Sequence, residues 1–140
     1  MKQRVLFLCT GNSARSQMAE GLLRDLASER MEVFSAGTAP RGLNSLAVQV
    51  MAEIGIDITH QRSKSVDEYV DKEFDYVITL CDEANETCPT FHFAKQRFHW
   101  GFKDPARATG SNEERLEAFR RIRDEIRAAL RDFIASIPGL

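Results

Sequence analysis

Eight residues near the N-terminus, Cys9-Thr10-Gly11-Asn12-Ser13-Ala14-Arg15-Ser16, leave few folds open to this chain. Before them runs Val5 to Cys9, continuously apolar or nearly so, which suits a strand buried on both faces in a parallel sheet. After them Met18, Ala19, Leu22, Leu23 and Leu26 recur at the spacing of one helix face. A buried strand, a small-residue loop and a helix are thus expected in that order. Gly11 and Asn12 tolerate the backbone angles of a tight loop. Successive N–H groups at a helix N-terminus form an anion nest, and Arg15 adds a planar fork that can hold two oxygens of a tetrahedral oxyanion. Residues 10–16 are therefore the expected oxyanion holders. The same donors are expected to lower the pKa of Cys9 and favour its thiolate, with Ser13 or Ser16 adding a hydrogen bond.

The rest of the chain repeats the strand-then-helix order. Strands are expected at residues 31–36, 76–80 and 96–100, and helices at residues 44–54 and from Asn112 onward, with a weaker helical candidate at residues 65–72. In the long C-terminal helix Leu116, Phe119, Ile122, Ile126, Leu130, Phe133 and Ile137 recur at steps of three or four and should face the core. Alternating elements imply a parallel, doubly wound α/β sheet, whose site lies outside the carboxyl ends of its strands. Cys9, Cys81 and Asp104 all follow expected strand ends. Repeats and linkers are absent, so residues 1–140 are expected to form a single domain.

Composition narrows the partners. The net charge is -2, with both signs interspersed, which gives no general field for nucleic acid. No apolar run approaches the ~18 to 20 residues that span a bilayer, and a cytoplasmic protein is expected. Three cysteines do not suit a disulfide-framed secreted domain. His60, His92 and His99 lack metal-like spacing, so no metal cofactor is expected. A monomer is expected from the small size.

The loop resembles the signature of the low-molecular-weight protein tyrosine phosphatase fold group, and the element order is similar over nearly the whole length. That resemblance implies a four-stranded parallel sheet flanked by helices, and it makes Asp104, in Asp104-Pro105, the general acid. A loop-capping aspartate is the plainer alternative.

The stretch Cys81-Asp82-Glu83-Ala84-Asn85-Glu86-Thr87-Cys88 separates two chemistries. Phosphoryl transfer needs one thiolate and an acid. Two further thiols suit a two-electron reduction of the bound oxyanion, because a dithiol becoming a disulfide supplies those electrons. Zinc is disfavoured by the spacing and by the missing fourth ligand. If residues 81–88 are helical when reduced, their end Cα atoms lie about 10 Å apart. A disulfide needs roughly 4.4 to 6.8 Å, so oxidation must rearrange the segment.

Residues 9–21, 35–37, 56–58, 77–81, Cys88-Pro89, 99–102 with Asp104-Pro105, and 120–126 together resemble the thioredoxin-coupled arsenate reductases. The resemblance implies that arsenate is the substrate, with phosphate or sulfate as analogues. It makes Cys9 the nucleophile, Cys81 and Cys88 the relay, and thioredoxin the reductant. Ala106-Arg107 after Asp-Pro, where phosphatases of this fold carry aromatics, argue against phosphotyrosine. A small phosphatase and a non-catalytic phosphate-binding module are the rival readings. Some such reductases bind potassium through an asparagine, a glutamate, a serine and an aspartate. Asn12, Glu20 and Ser35 match the first three, but Lys64 stands at the aspartate's place, either as an ammonium that replaces the ion or as a solvent-exposed lysine.

Overall fold

A computed structural model describes residues 2–81 and 94–139. The described elements are β1 (Gln3–Cys9), α1 (Arg15–Ala27), β2 (Met31–Gly37), α2 (Ser45–Ala52), β3 (Phe74–Thr79), β4 (Ala94–His99) and α3 (Asn112–Ser136). The four strands form one sheet in the order β2-β1-β3-β4, and every pairing is parallel. The chain leaves β1 toward β2 on one side and returns to β3 on the other. The crevice of such a sheet therefore opens at the carboxyl ends of β1 and β3.

Strand β1 explains why the sheet needs cover on both faces. Val5 and Phe7 enter the larger core, with α1, α2 and α3, while Leu6 and Leu8 enter a smaller one with Ala36, Phe74 and Val77. Period-2 alternation of an all-apolar strand leaves no face for water. Among the described residues, Val66 and Tyr69 pack on the second face. All seven residues assigned to the core from the long C-terminal periodicity are buried, although Ile137 lies just past the end of α3, as its cap.

Helix ends follow local chemistry. Asn44 caps α2, its side-chain oxygen accepting from the N–H groups of Leu46 and Ala47 at 2.8 and 3.2 Å. Gly55, at φ +79°, turns the chain out beyond it. Ser111 and Glu114 form a reciprocal capping box on α3. The helix expected at residues 65–72 is only a single 3-10 turn, Val66–Glu68. Strand β4 starts two residues earlier than expected. It is the edge strand and is largely exposed, so Ala94, Lys95, Gln96 and Arg97 carry no apolar run to mark its start. Among the described residues no helix is long and apolar enough to cross a membrane.

Candidate active site

Residues 10–14 link β1 to α1 as a tight loop whose carbonyl oxygens are occupied from outside. Thr10 O accepts from Ala39 N at 2.8 Å, Gly11 O from Arg41 N at 2.9 Å and Ser13 O from Asn44 N at 3.0 Å. Asn12 O accepts from Gln17 Nε2 at 3.0 Å, and Ala14 O from Met18 N at 2.9 Å. With its carbonyls held this way, the loop is free to turn its N–H groups to the opposite side. Ala14, the residue before α1, supplies no side-chain cap, so the first-turn N–H groups of α1 lack the partner that Asn44 and Ser111 give the other two helices. A helix N-terminus without a side-chain cap is the kind of place where an anion can bind.

Asn12 is the pivot. It is fully buried and is the one non-glycine residue with positive φ, 44°, among those described. Its side chain is saturated: Nδ2 donates to Ser16 Oγ at 2.8 Å and Ser35 Oγ at 3.0 Å, and Oδ1 accepts from Lys64 N at 2.8 Å and Gln17 Nε2 at 3.1 Å. Gly37, at the end of β2, lets this loop lie close. A Cβ there would come within 2.6 Å of Thr10 O and 2.9 Å of Asn12 N.

Behind Asn12 the polar network continues inward. Ser35 Oγ donates to Glu20 Oε1 at 2.5 Å, Arg24 Nη2 lies 2.8 Å from Glu20 Oε2, and Lys64 Nζ lies 3.8 Å from Glu20 Oε1. Lys64 Nζ also donates to Arg62 O at 2.7 Å. Burial lowers the Lys64 pKa, and Glu20 opposes that shift. The three residues matched to a potassium site, Asn12, Glu20 and Ser35, are therefore gathered with Lys64, but their polar atoms are already engaged and the Lys64 ammonium faces the Glu20 carboxylate. A potassium ion does not fit among them. Gln17 and Gln61 complete the network, Gln61 Nε2 donating to Gln17 Oε1 at 2.8 Å. Sequence reasoning missed both, because a glutamine on a helix, such as Gln17, or in a connection, such as Gln61, reads as a solvated residue.

On the other side of the loop is a cavity of about 780 Å³, lined by Cys9, Thr10, Gly11, Ser13, Ala14 and Arg15 from the loop, and also by Cys81 and Asp104. Residues 100 and 102 continue the sheet past β4. Trp100 N donates to Thr79 O at 2.8 Å and Phe102 N to Leu80 O at 3.0 Å, which delivers Asp104 to the rim. Asp104 Oδ1 accepts from Ala106 N at 3.0 Å as a cap, while Oδ2 faces Arg15 Nη2 at 3.8 Å. Asp104 thus is a loop cap through one oxygen, while the other faces Arg15 at the cavity. Arg15 Nη1 donates to Phe102 O at 3.0 Å.

Cys9 and Cys81 are both free, buried and in contact. Thr10 serves Cys81: its N–H donates to Cys81 Sγ at 3.3 Å, and its Oγ1 lies 3.2 Å from the same sulfur. Cys9 in turn hydrogen-bonds to Cys81. That bond, with burial and the Cys81 charge, pushes the Cys9 thiol up from its ordinary value, against the lowering effects of Arg15 and the Thr10 amide. The expectation of an acidic Cys9 is therefore corrected for this arrangement: the neighbouring sulfur outweighs the anion loop. Cys88, and the expected helix at residues 81–88, lie outside the described residues. His99 Nδ1 lies 2.8 Å from Thr79 Oγ1, a packing role, and His60 is exposed.

Comparison with known proteins is consistent with this geometry. The family model described as low molecular weight phosphotyrosine protein phosphatase matches residues 4–138. A protein of Halalkalibacterium halodurans named arsenate reductase is 47% identical over 132 residues, covering 94% of this chain and 95% of that one. A solved structure described as an arsenate reductase in the phosphate binding state superposes with a TM-score of 0.83 at 31% identity, over 96% of this chain and 98% of that one. A thioredoxin-dependent arsenate reductase of Corynebacterium glutamicum superposes with a TM-score of 0.73 at 26% identity, over 96% of this chain and 61% of that one.

Proposed function

The chain belongs to the low-molecular-weight phosphotyrosine protein phosphatase family, and we propose that within it this protein is an arsenate reductase working through Cys9, Cys81 and Cys88. The observation that carries this reading is a second thiol, Cys81, in contact with Cys9 on the wall of the cavity that Arg15 and Asp104 also line. A phosphatase has no use for that thiol, whereas a reductase needs it.

Arsenate sits in the N–H cradle of residues 10–16 with its oxygens toward Arg15. The Cys9 thiolate attacks arsenic, and Asp104 protonates the departing oxygen. Cys81 then attacks Cys9 Sγ. The electron pair of the arsenic–sulfur bond goes to arsenic, arsenite leaves and a Cys9–Cys81 disulfide forms. Attack by Cys88 on Cys81 frees Cys9, and thioredoxin reduces the Cys81–Cys88 disulfide. The name of the Corynebacterium glutamicum relative supports thioredoxin as reductant. The protein works in the cytoplasm as a monomer of one domain, and its side activity on phosphate esters is slow.

The test is one turnover of arsenate without a reductant, followed by mapping of the bridged cysteines. A Cys81–Cys88 bridge with stoichiometric arsenite is expected. Full turnover by both Cys81→Ser and Cys88→Ser overturns the relay. Lys64 stands in for a cation, so exchanging potassium for sodium should leave the rate unchanged. Strong stimulation by potassium rejects that role.

A further inference from the structure

We propose that Arg41, in the connection between β2 and α2, is a second substrate-binding arginine, holding the outer oxygens of the oxyanion while Arg15 holds the inner ones. The inference rests on the reading above for the identity of the substrate.

Arg15 is a compromised cation. One of its nitrogens is bonded to Phe102 O and another faces the Asp104 carboxylate, and its side chain is only 11% exposed. Arg107, across the cavity, also points at Asp104, with Nε 3.9 Å from Oδ2. Until it takes up the proton that it later delivers, this one carboxylate offsets two of the guanidinium groups that line the cavity. An arsenate arriving with negative charge needs a cation not already balanced.

Arg41 meets that need. It lines the same cavity and is exposed, and among the described residues no carboxylate pairs with it. Its place is fixed from two directions. Its backbone N–H donates to Gly11 O at 2.9 Å, so its Cα is tied to the anion loop. Its stem lies on that loop: a Cβ on Gly11 would sit 3.3 Å from Arg41 Cδ and 3.5 Å from Cγ. The glycine therefore provides the groove along which the side chain lies, and a guanidinium held there presents a planar fork that matches two oxygens. Lys103 also lines the cavity and is exposed, but it has no comparable anchor and presents a point charge.

The test compares Arg41→Ala, Arg41→Gln and Arg41→Lys with Lys103→Ala and with the remote, exposed Arg30→Ala. Phosphate binding is read by calorimetry, and the arsenate KM and kcat by turnover. Arg41→Ala and Arg41→Gln should weaken phosphate and raise the arsenate KM by about tenfold, with a smaller change in kcat, and should flatten the fall of kcat/KM with added salt. Glutamine keeps the stem on Gly11, so an equal loss from both variants assigns the effect to charge. Arg41→Lys should recover part of it, Lys103→Ala should lose less, and Arg30→Ala should match the wild type. Wild-type phosphate affinity and KM in Arg41→Gln overturn the inference. If the wild type binds phosphate but does not reduce arsenate, a weakened phosphate complex in Arg41→Gln still supports Arg41 while the reductase reading fails.

Discussion

On its cavity side the loop of residues 9–16 offers amide N–H groups and two touching thiols, with Arg15 and Asp104 facing each other at 3.8 Å. On its other side Asn12, Gln17, Glu20, Ser35, Gln61 and Lys64 form a buried network in which the donors and acceptors find one another within the chain. One side carries the groups proposed to react and the other is a saturated network. Buried polar groups are costly unless paired, and a saturated network has one low-energy arrangement. The rigid side thus holds the reactive side open, so preorganisation here is a property of what lies behind the cradle.

That contrast can be broken from either side. The largest effect belongs to Cys9→Ser, which should lower arsenate turnover by more than about a thousandfold because the attacking sulfur is gone. Its melting temperature should stay close to that of the wild type. Asn12→Ala should do the reverse in kind. It removes four hydrogen bonds and leaves alanine at φ 44°, so urea unfolding should show a loss of about 2–4 kcal/mol, with weaker phosphate binding. A stable Asn12→Ala protein with unchanged phosphate affinity would show that the network is ornamental.

Within the reactive side, Cys81→Ser removes the sulfur that raises the Cys9 pKa. The pH midpoint for alkylation of Cys9 should then fall. An unchanged or higher midpoint sinks the idea that the two thiols share a proton. The smallest effects compare burial with exposure. Lys64→Met leaves the Glu20 charge to Arg24 and the Ser35 hydroxyl and should cost about 1–3 kcal/mol. On α3, Arg120 pairs with Glu53, Glu113 and Glu117 at 2.8, 2.7 and 3.3 Å, a better-looking cluster on paper. Yet Glu113 and Glu117 are mostly exposed, and Arg120→Ala should cost below about 1 kcal/mol. Equal losses from the two variants would remove the distinction between the clusters.

The two sides were unequally legible in the sequence. The cavity side could be read because its chemistry is rare: a cysteine ending a buried strand, an arginine opening a helix, and two later cysteines. Strand β1 was legible because a doubly buried strand must be apolar throughout. The rear network was partly hidden. Asn12 was legible as a tight-loop residue, Glu20, Ser35 and Lys64 were found only through family resemblance, and Gln17 and Gln61 were not found at all. Nine of the thirteen residues of α1 are buried, among them Ser16, Gln17 and Glu20. A pattern that assigns polar residues to water must fail on such a helix. Arg41 lay in a turn without periodicity. Its relevance depends on a contact with Gly11 that no local pattern encodes. The direction of the Cys9 shift was not legible for a similar reason, since the order of strands brings Cys81 to the same sheet edge without showing that it hydrogen-bonds to Cys9.

The carbonyls of Thr10, Gly11 and Ser13 are held by the main chain of Ala39, Arg41 and Asn44, not by their side chains. Any residue except proline can supply such an N–H. Positions 39 and 41 can therefore be exchanged for other amino acids while the cradle keeps its shape. A library confined to those two sites should yield proteins that fold alike yet differ in which oxyanion they prefer, which makes this turn a natural dial for altering selectivity without rebuilding the catalyst.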